Sequence, residues 1–185
     1  MRRWLLASCL IVPSPAATRA QDLLAFGDPY LPHEFRLGAY AHDAFSPEKG
    51  PVDLNLELLF GQLVVTDDAF WNQLIPRPQL GSTVDFAGRT SNIYAGLAWT
   101  HDVWRGVFVE ASFGGAVNDG ATGRHPPSGH NGMGCNASFH ETGSVGYRLT
   151  EAWSLMTTIE HYSNAGLCDN NRGLTNYGLR LGYRF

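Results

Sequence analysis

The chain has 185 residues, enough for one domain, and it combines abundant aromatic residues (12%) and 21 glycines with few charged residues (16%). This composition is typical of a sheet-rich fold and disfavours a disordered chain. The net charge of −4 excludes the basic surface that nucleic-acid-binding proteins carry. Because no apolar run reaches the roughly 18 residues of a transmembrane helix, a membrane-spanning fold would have to be built from strands.

The first residues have the pattern of an export signal. Two arginines precede a short apolar segment, residues 4–12, and a small-residue motif resembling a cleavage site follows it. We therefore predict a signal peptide over residues 1–20 and a mature domain over residues 21–185. The alternative is a lipid anchor on Cys9, which is disfavoured because this cysteine lies inside the apolar segment.

Period-two alternation of apolar and polar residues dominates the rest of the chain and predicts strands. The clearest case is 52–60, where Asp53, Asn55 and Glu57 alternate with aliphatic residues, and 177–185 repeats the pattern. The third predicted strand is the weakest because prolines crowd its start. The eight predicted strands span 33–45, 52–65, 79–88, 91–103, 106–118, 135–149, 152–165 and 174–185.

The polar faces of these strands favour a membrane barrel over a soluble sandwich, the alternative that would also alternate. Five charged residues would fill a narrow barrel interior: Arg36, Glu57, Glu110, Arg148 and Arg180. Closure also leaves no strand edge in lipid. The alternation that ends on Phe185 resembles the insertion signal of outer-membrane barrels, so we expect the insertion machinery as a partner. We predict an all-β, eight-stranded antiparallel transmembrane β-barrel in the bacterial outer membrane.

An even number of strands, with both termini in the periplasm, sets the expected orientation. The predicted external connections lie near 46–51, 88–91, 118–134 and 166–173. The predicted periplasmic connections lie near 66–78, 104–106 and 149–152. Aromatic residues at the periplasmic strand ends would form the girdle typical of such barrels: Trp99, Tyr147, Trp153, Tyr183 and Phe185.

Two cysteines remain after removal of the signal peptide, and an exported chain favours a disulfide between Cys135 and Cys168. The alternative is two free thiols in loops. A metal site from His125, His130 and His140 is a further alternative, but a solvated loop is the favoured interpretation. We therefore predict no metal site and no cofactor.

One pair of residues on the seventh predicted strand has the pattern of a catalytic site. His161 and Ser163 share the outward face, and their i, i+2 spacing puts the side chains about 6–7 Å apart at the base. The imidazole can lean toward the hydroxyl, as a base does in activating a nucleophile. Asn164 and the backbone near Gly166 could supply hydrogen-bond donors for an oxyanion.

The longer string over residues 161–166, HYSNAG, resembles the lipid A 3-O-deacylase family of PagL-like barrels. The resemblance is closest over the last 30 or so residues. It implies an outer-membrane esterase that removes the acyl chain at the 3-position of lipid A, the anchor of lipopolysaccharide in the outer leaflet. It also implies that Ser163 is the nucleophile and His161 the base. Asn164 and Gly166 would lie on the oxyanion side.

The chain departs from the family at the third catalytic position. Well-studied members carry a Glu twelve residues after the nucleophile, where this chain has Thr175. Glu141 is a candidate substitute on the outward face of the sixth strand. If Leu149 pairs with Trp153 around a three-residue turn, Glu141 lies opposite His161. We therefore hypothesise that Glu141 orients the imidazole, and Thr175 is the alternative.

The departure also leaves a second function open. A non-enzymatic small barrel, structural or adhesive, would follow from the loss of the third catalytic residue, whereas the intact string at 161–166 favours the esterase. A pore is disfavoured because side chains fill the lumen of an eight-stranded barrel. The sequence leaves open which acyl chain is removed and whether the barrel forms a homodimer.

Overall fold

The computed structural model describes residues 32–185, so the predicted signal peptide lies outside the described residues. Eight antiparallel strands form a closed barrel in which neighbours in the chain pair and β1 also pairs with β8. The strands are β1 (Glu34–Ala41), β2 (Val52–Leu59), β3 (Arg77–Val84), β4 (Asn92–Trp104), β5 (Val107–Asn118), β6 (Ala137–Arg148), β7 (Trp153–Ser163) and β8 (Leu174–Arg184). The predicted eight-stranded antiparallel barrel is confirmed.

All eight predicted strands are present, but several end earlier than predicted. The first ends at Ala41 because a turn follows, in which Asp43 adopts a left-handed backbone with φ of 36°. The second ends at Leu59, and the segment after it leads to an unpredicted short helix, α1 (Ala69–Leu74). The side chain of Asp68 caps this helix by accepting hydrogen bonds from the first backbone N–H groups. In the described part of the chain, no helix has the length and apolar character needed to cross a membrane.

The inward face of the barrel is filled by a buried ion network, as the alternation predicts. Arg36 donates to Glu34 at 2.8 Å, to Glu57 at 2.9 Å and to both carboxylate oxygens of Glu110 at 2.6 and 2.8 Å. Arg180 donates to the second oxygen of Glu57 at 2.9 Å. All five side chains are buried, so each charge has a partner of opposite sign in a lumen closed to solvent. Four of the five predicted interior charges thus meet in one network.

The fifth predicted interior charge, Arg148, lies near one end of the barrel and pairs with Asp102 at 2.6 Å. We call this end, where residues 32 and 185 lie, the terminal end. Four of the five residues of the predicted aromatic girdle are exposed here on the outward face: Tyr147, Trp153, Tyr183 and Phe185. The fifth, Trp99, is half-buried and donates from Nε1 to the carbonyl oxygen of Leu74 at the end of α1, at 3.0 Å.

The opposite end, which we call the loop end, is formed by 42–51, 85–91, 119–136 and 164–173. Glu48 links three of these segments. Its carboxylate accepts hydrogen bonds from the N–H and the hydroxyl of Thr90, both at 2.7 Å, and from the N–H of Asn131 at 2.5 Å. Burial raises the pKa of Glu48, but the nearby His42 and hydrogen bonds from Thr90 and Asn131 outweigh it and lower the pKa to about 2. Glu48 therefore carries a buried negative charge that fastens the loops over the lumen.

Candidate active site

His161 and Ser163 lie at the loop end of β7 on the outward face, where both are half-buried. Their neighbours are β6 on one side and β8 on the other. The alternation that places Glu160 and Tyr162 in the lumen, both buried, turns this pair toward the surface. No hydrogen bond joins the two side chains in the described structure. Contacts of this kind often tighten when a substrate binds, so the spacing keeps both residues as candidates.

The imidazole of His161 is held from β8. Its Nδ1 atom lies 2.8 Å from the hydroxyl oxygen of Thr175, which is its direct cross-strand neighbour. Glu141 is the cross-strand neighbour of His161 on β6. The register predicted from the sequence is therefore confirmed, including the turn at which the N–H of Leu149 donates to the carbonyl of Trp153 at 2.8 Å.

The orienting role of Glu141 stays a prediction, and in the structure Nδ1 of His161 is bound by Thr175, the alternative. No hydrogen bond joins Glu141 and His161 within residues 32–185, because the imidazole is turned toward β8, where the Thr175 hydroxyl binds Nδ1. Glu141 is nevertheless half-buried on the same outward face as His161. The arrangement is a histidine with a hydroxyl partner on one side and a carboxylate neighbour on the other.

Gly173, which the sequence did not single out, packs against the same imidazole. Its φ of +70° is a left-handed conformation that favours glycine. A Cβ at this position would lie 2.6 Å from the carbonyl oxygen of Tyr162 and 3.3 Å from Cε1 of His161. The absence of a side chain therefore lets the chain enter β8 beside the imidazole. The signal in the sequence that could have indicated this role is a glycine directly before a predicted strand.

Asn164 is buried and serves the turn that follows Ser163. Its amide nitrogen donates to the carbonyls of Met133 at 2.7 Å and Asn170 at 2.6 Å, and its side-chain oxygen accepts from the N–H of Gly166 at 2.9 Å. The donors that the sequence assigns to the oxyanion are thus engaged inside the turn. The N–H of Ala165, in an exposed residue with φ of 53°, makes no hydrogen bond among the described residues.

The predicted disulfide between Cys135 and Cys168 is formed, with the two Cα atoms 6.0 Å apart. It joins the segment before β6 to the loop after β7, beside the candidate site. A pocket of about 270 Å³ lies here, lined by Cys135, Ala137, Ser138, Phe139, Asn164, Leu167 and Cys168. Phe139 is the cross-strand neighbour of Ser163, so the pocket lies next to Ser163 on its loop-end side.

A second cavity lies toward the terminal end. This groove of about 430 Å³ centres on Gly143, the cross-strand neighbour of Ile159, where the missing side chain leaves the barrel wall recessed. Its other lining residues are Glu110, Ser144, Val145, Thr157, Thr158 and Tyr177. The outward members are mostly apolar. On the outer wall, His161 and Ser163 therefore lie between this groove, on their terminal-end side, and the pocket beside the disulfide, on their loop-end side.

The three histidines of the alternative metal site do not come together. His140 is buried in the lumen, stacked on Tyr94 with ring centroids 3.8 Å apart, whereas His125 is exposed in a loop. Glu160, adjacent to His161 in the chain, points inward as predicted and accepts from Asn176 at 3.1 Å. These residues have no part in the outward site.

Comparison with known proteins shows the family and the fold. Residues 91–184, which run from β4 through β8, match the family model described as lipid A 3-O-deacylase (PagL), and this is just over half of the chain. No curated protein matches the chain. The crystal structure of the outer membrane enzyme PagL matches with a TM-score of 0.65 at 19% identity, covering 82% of this chain and 99% of that one.

A structure from the de novo design of transmembrane β-barrels matches with a TM-score of 0.52 at 10% identity, covering 83% of this chain and 95% of that one. At these identities the two structures show the fold, and the family is shown by the sequence match. The chain belongs to the lipid A 3-O-deacylase (PagL) family of outer-membrane ester hydrolases.

Proposed function

We propose that this chain hydrolyses the ester bond of an acyl chain on lipid A, with Ser163 as the nucleophile and His161 as the general base. The observation that carries the proposal is the placement of this pair on the outward wall, with His161 held at Nδ1 by Thr175 at 2.8 Å. An outward site suits a substrate that is itself a membrane lipid. The family description supplies the substrate class.

The proposal includes export and orientation. Residues 1–20 are removed as a signal peptide, and the insertion machinery of the outer membrane places the loop end outside. The site then lies at the level of the outer leaflet, where lipid A resides. The apolar outward face of the strands and the exposed aromatic residues at the terminal end support this placement.

The reaction is acyl transfer to water. Nε2 of His161 takes the proton of the Ser163 hydroxyl as Oγ attacks the ester carbonyl. The tetrahedral oxyanion collapses, the imidazolium gives its proton to the departing sugar oxygen, and an acyl-serine remains. Water, deprotonated by the same imidazole, then attacks the acyl-serine, and the fatty acid leaves with Ser163 restored.

In this proposal, Thr175 and Glu141 divide the two roles of the Glu in well-studied family members, which are to orient the imidazole and to stabilise the imidazolium. A hydroxyl that accepts from the Nδ1–H leaves the lone pair of Nε2 free, which is the tautomer a base requires. The hydroxyl is neutral and gives little stabilisation to the imidazolium. Glu141, with its Cβ about 4.5–5.5 Å from that of His161 as a direct cross-strand neighbour, supplies the negative charge.

The oxyanion is stabilised at the turn after Ser163. Ala165 is an exposed residue two positions after the nucleophile, and its N–H makes no hydrogen bond among the described residues, so we assign this N–H as the direct donor. Asn164 and Gly166 belong to the oxyanion side by holding the turn in shape through their mutual hydrogen bond of 2.9 Å. Asn164 anchors the same turn to the loop before β6 through Met133.

The two cavities provide binding sites for parts of the substrate. An acyl chain that is cleaved at Ser163 extends from the carbonyl into the leaflet, and the apolar groove at Gly143 lies in that direction. The pocket beside the disulfide lies on the other side of Ser163, toward the loop end. The scissile ester would therefore be held between a chain-binding groove and a rim pocket.

The test is release of fatty acid by the purified barrel in detergent micelles supplied with lipid A. We expect the wild-type chain to release a hydroxy fatty acid and Ser163→Ala to lower the rate by about 10³-fold or more. Ser82→Ala, an outward serine on the far side of the barrel, is the matched control and should keep the wild-type rate. Equal release by wild type and Ser163→Ala would refute Ser163 as the nucleophile.

A further inference from the structure

A second cluster of polar side chains lies in the lumen at the loop end, away from the candidate active site. His42 follows β1, Asp53 lies at the start of β2, and Asp85 follows β3, so three neighbouring strands each contribute one residue. All three are buried, Asp85 the least so at 8% exposure. One nitrogen or oxygen atom from each lies within 4.8 Å of those from the other two, and no other group of this kind exists among residues 32–185.

Each member of this cluster has a polar atom that the protein leaves without a partner. Nδ1 of His42 lies 2.7 Å from one oxygen of Asp53, and one oxygen of Asp85 accepts from the N–H groups of Ala87 and Arg89. The remaining atoms, Nε2 of His42, Oδ1 of Asp53 and Oδ2 of Asp85, are buried without a hydrogen-bond partner. Two ionised carboxylates only accept hydrogen bonds, so Asp53 and Asp85 can satisfy one another only by sharing a proton. Buried carboxylates with unpartnered oxygens are stabilised by a cation.

We propose that His42, Asp53 and Asp85 form a site for a zinc-like divalent cation that ties together the loop ends of β1, β2 and β3. One imidazole with two carboxylates is a ligand set that suits zinc, and the nitrogen ligand disfavours calcium and magnesium. The donor atoms lie within 4.8 Å of one another, and the donors of a tetrahedral zinc site with bonds of about 2.0–2.2 Å lie about 3.3–3.6 Å apart, so the side chains must shift inward for one ion to bind all three residues. The site goes beyond the proposed esterase and shares no residue with it.

A proton is the competing occupant of this cluster. Burial lowers the pKa of His42, but the hydrogen bond with Asp53 and the nearby negative charge of Glu48 outweigh it and raise the pKa to about 9. Glu48 lies 3.7 Å from Nε2 of His42 but is already engaged by Thr90 and Asn131, so it supports the site from outside. A bound cation displaces the imidazole proton, whereas without a cation the cluster remains a hydrogen-bonded imidazolium. Direct measurement of bound metal separates the two.

The test uses the folded barrel in detergent micelles, treated with chelator and then titrated with zinc ions or, separately, calcium ions. We expect one zinc ion per chain, with at least tenfold weaker binding in Asp85→Asn and in His42→Gln. His125→Gln, which changes an exposed loop histidine, is the matched control and should bind zinc as the wild type does. X-ray absorption at the zinc edge should show nitrogen and oxygen ligands at about 2.0–2.2 Å and no sulfur.

Three results would overturn the site: no stoichiometric zinc binding by the wild type, unchanged binding in Asp85→Asn, or preferential binding of calcium. Heat-dependent gel mobility shows whether each variant is folded, and Asp53→Asn provides a second isosteric test if Asp85→Asn does not fold. Because Ser163→Ala leaves the cluster intact, it should bind zinc normally. Failure of the metal site and failure of the proposed esterase are therefore distinguishable.

Discussion

Nδ1 of His161 lies 2.8 Å from the hydroxyl oxygen of Thr175, so a neutral side chain holds the candidate base from the next strand. Thr175 occupies the position at which well-studied family members carry Glu. A threonine hydroxyl can accept from Nδ1–H or donate to Nδ1, and only the first leaves Nε2 ready to act as a base. Glu141 is the cross-strand neighbour on the other side of His161 and does not bind Nδ1.

This relationship predicts unequal effects of two substitutions. Thr175→Val removes the hydroxyl that orients the imidazole and should lower kcat by about 10–100-fold, as expected when a general base is mispositioned. Glu141→Gln keeps the shape and removes a charge, so it should lower kcat by about tenfold or less, with KM unchanged in both. Thr175→Glu should raise kcat above wild type, since a carboxylate enforces the tautomer and stabilises the imidazolium.

Steady-state kinetics on lipid A in micelles measure these effects. A larger loss in Glu141→Gln than in Thr175→Val would assign the orienting role to Glu141 and contradict its assignment to Thr175. Thr122→Val, which changes an exposed loop threonine outside both cavities, serves as a control for the loss of a hydroxyl.

The groove at Gly143 predicts a change in substrate use. A Cβ at Gly143 would lie 3.5 Å from Cγ2 of Ile159, an ordinary contact, so Gly143→Leu fits the fold and fills the groove. We expect it to lower kcat/KM for long acyl chains by at least tenfold, corresponding to about 1.4 kcal/mol, and to affect short chains less. Rates on esters of graded chain length measure this. An equal loss of kcat/KM at all acyl-chain lengths would argue against the groove as the acyl-chain binding site.

The disulfide predicts a loss of both stability and activity on reduction. The bond between Cys135 and Cys168 closes a loop with a sequence separation of 33, for which chain entropy gives about 3–4 kcal/mol. The double substitution to Ser should lower the free energy of unfolding in denaturant by up to this amount. It should also slow turnover, because Asn164 and the rim pocket adjoin the bond. Full activity after verified reduction would show that the bond only stabilises the rim.

The lumen network predicts a contrast between a buried and an exposed ion pair. Glu110→Gln removes the charge that binds Arg36 through two hydrogen bonds, leaving Arg36 with less compensation in a closed lumen. We expect a loss of about 3–5 kcal/mol in the free energy of unfolding. Asp169→Asn breaks an exposed pair with Arg124 and should cost less than about 1 kcal/mol. Similar losses in the two variants would contradict this view of the lumen.

Most of the fold could be predicted from the sequence, because period-two alternation sets which side chains face the lumen. The same alternation, with a three-residue turn, predicted the pairing of Glu141 with His161, and register follows from turn length once the faces are known. The helix Ala69–Leu74 was missed because six residues are too few for a helical period, and its start depends on the Asp68 cap.

The details of the site depend on contacts that a linear pattern does not contain. Both Thr175 and Glu141 are cross-strand neighbours of His161, and the rotation of the imidazole decides between them. Asn164 is held by Met133, which is 31 residues away in the chain, so its role in the turn could not be predicted from the HYSNAG string. The cluster of His42, Asp53 and Asp85 could not be predicted from the sequence because its members come from three separate segments.

The most direct test of the central claim is mass spectrometry of lipid A from cells expressing the wild-type chain or Ser163→Ala, with both proteins shown to be folded in the outer membrane. We expect the loss of one hydroxyacyl chain in wild-type cells and intact lipid A in Ser163→Ala cells. Intact lipid A in both would contradict the esterase and favour a non-enzymatic barrel. Deacylation in both would place the nucleophile elsewhere.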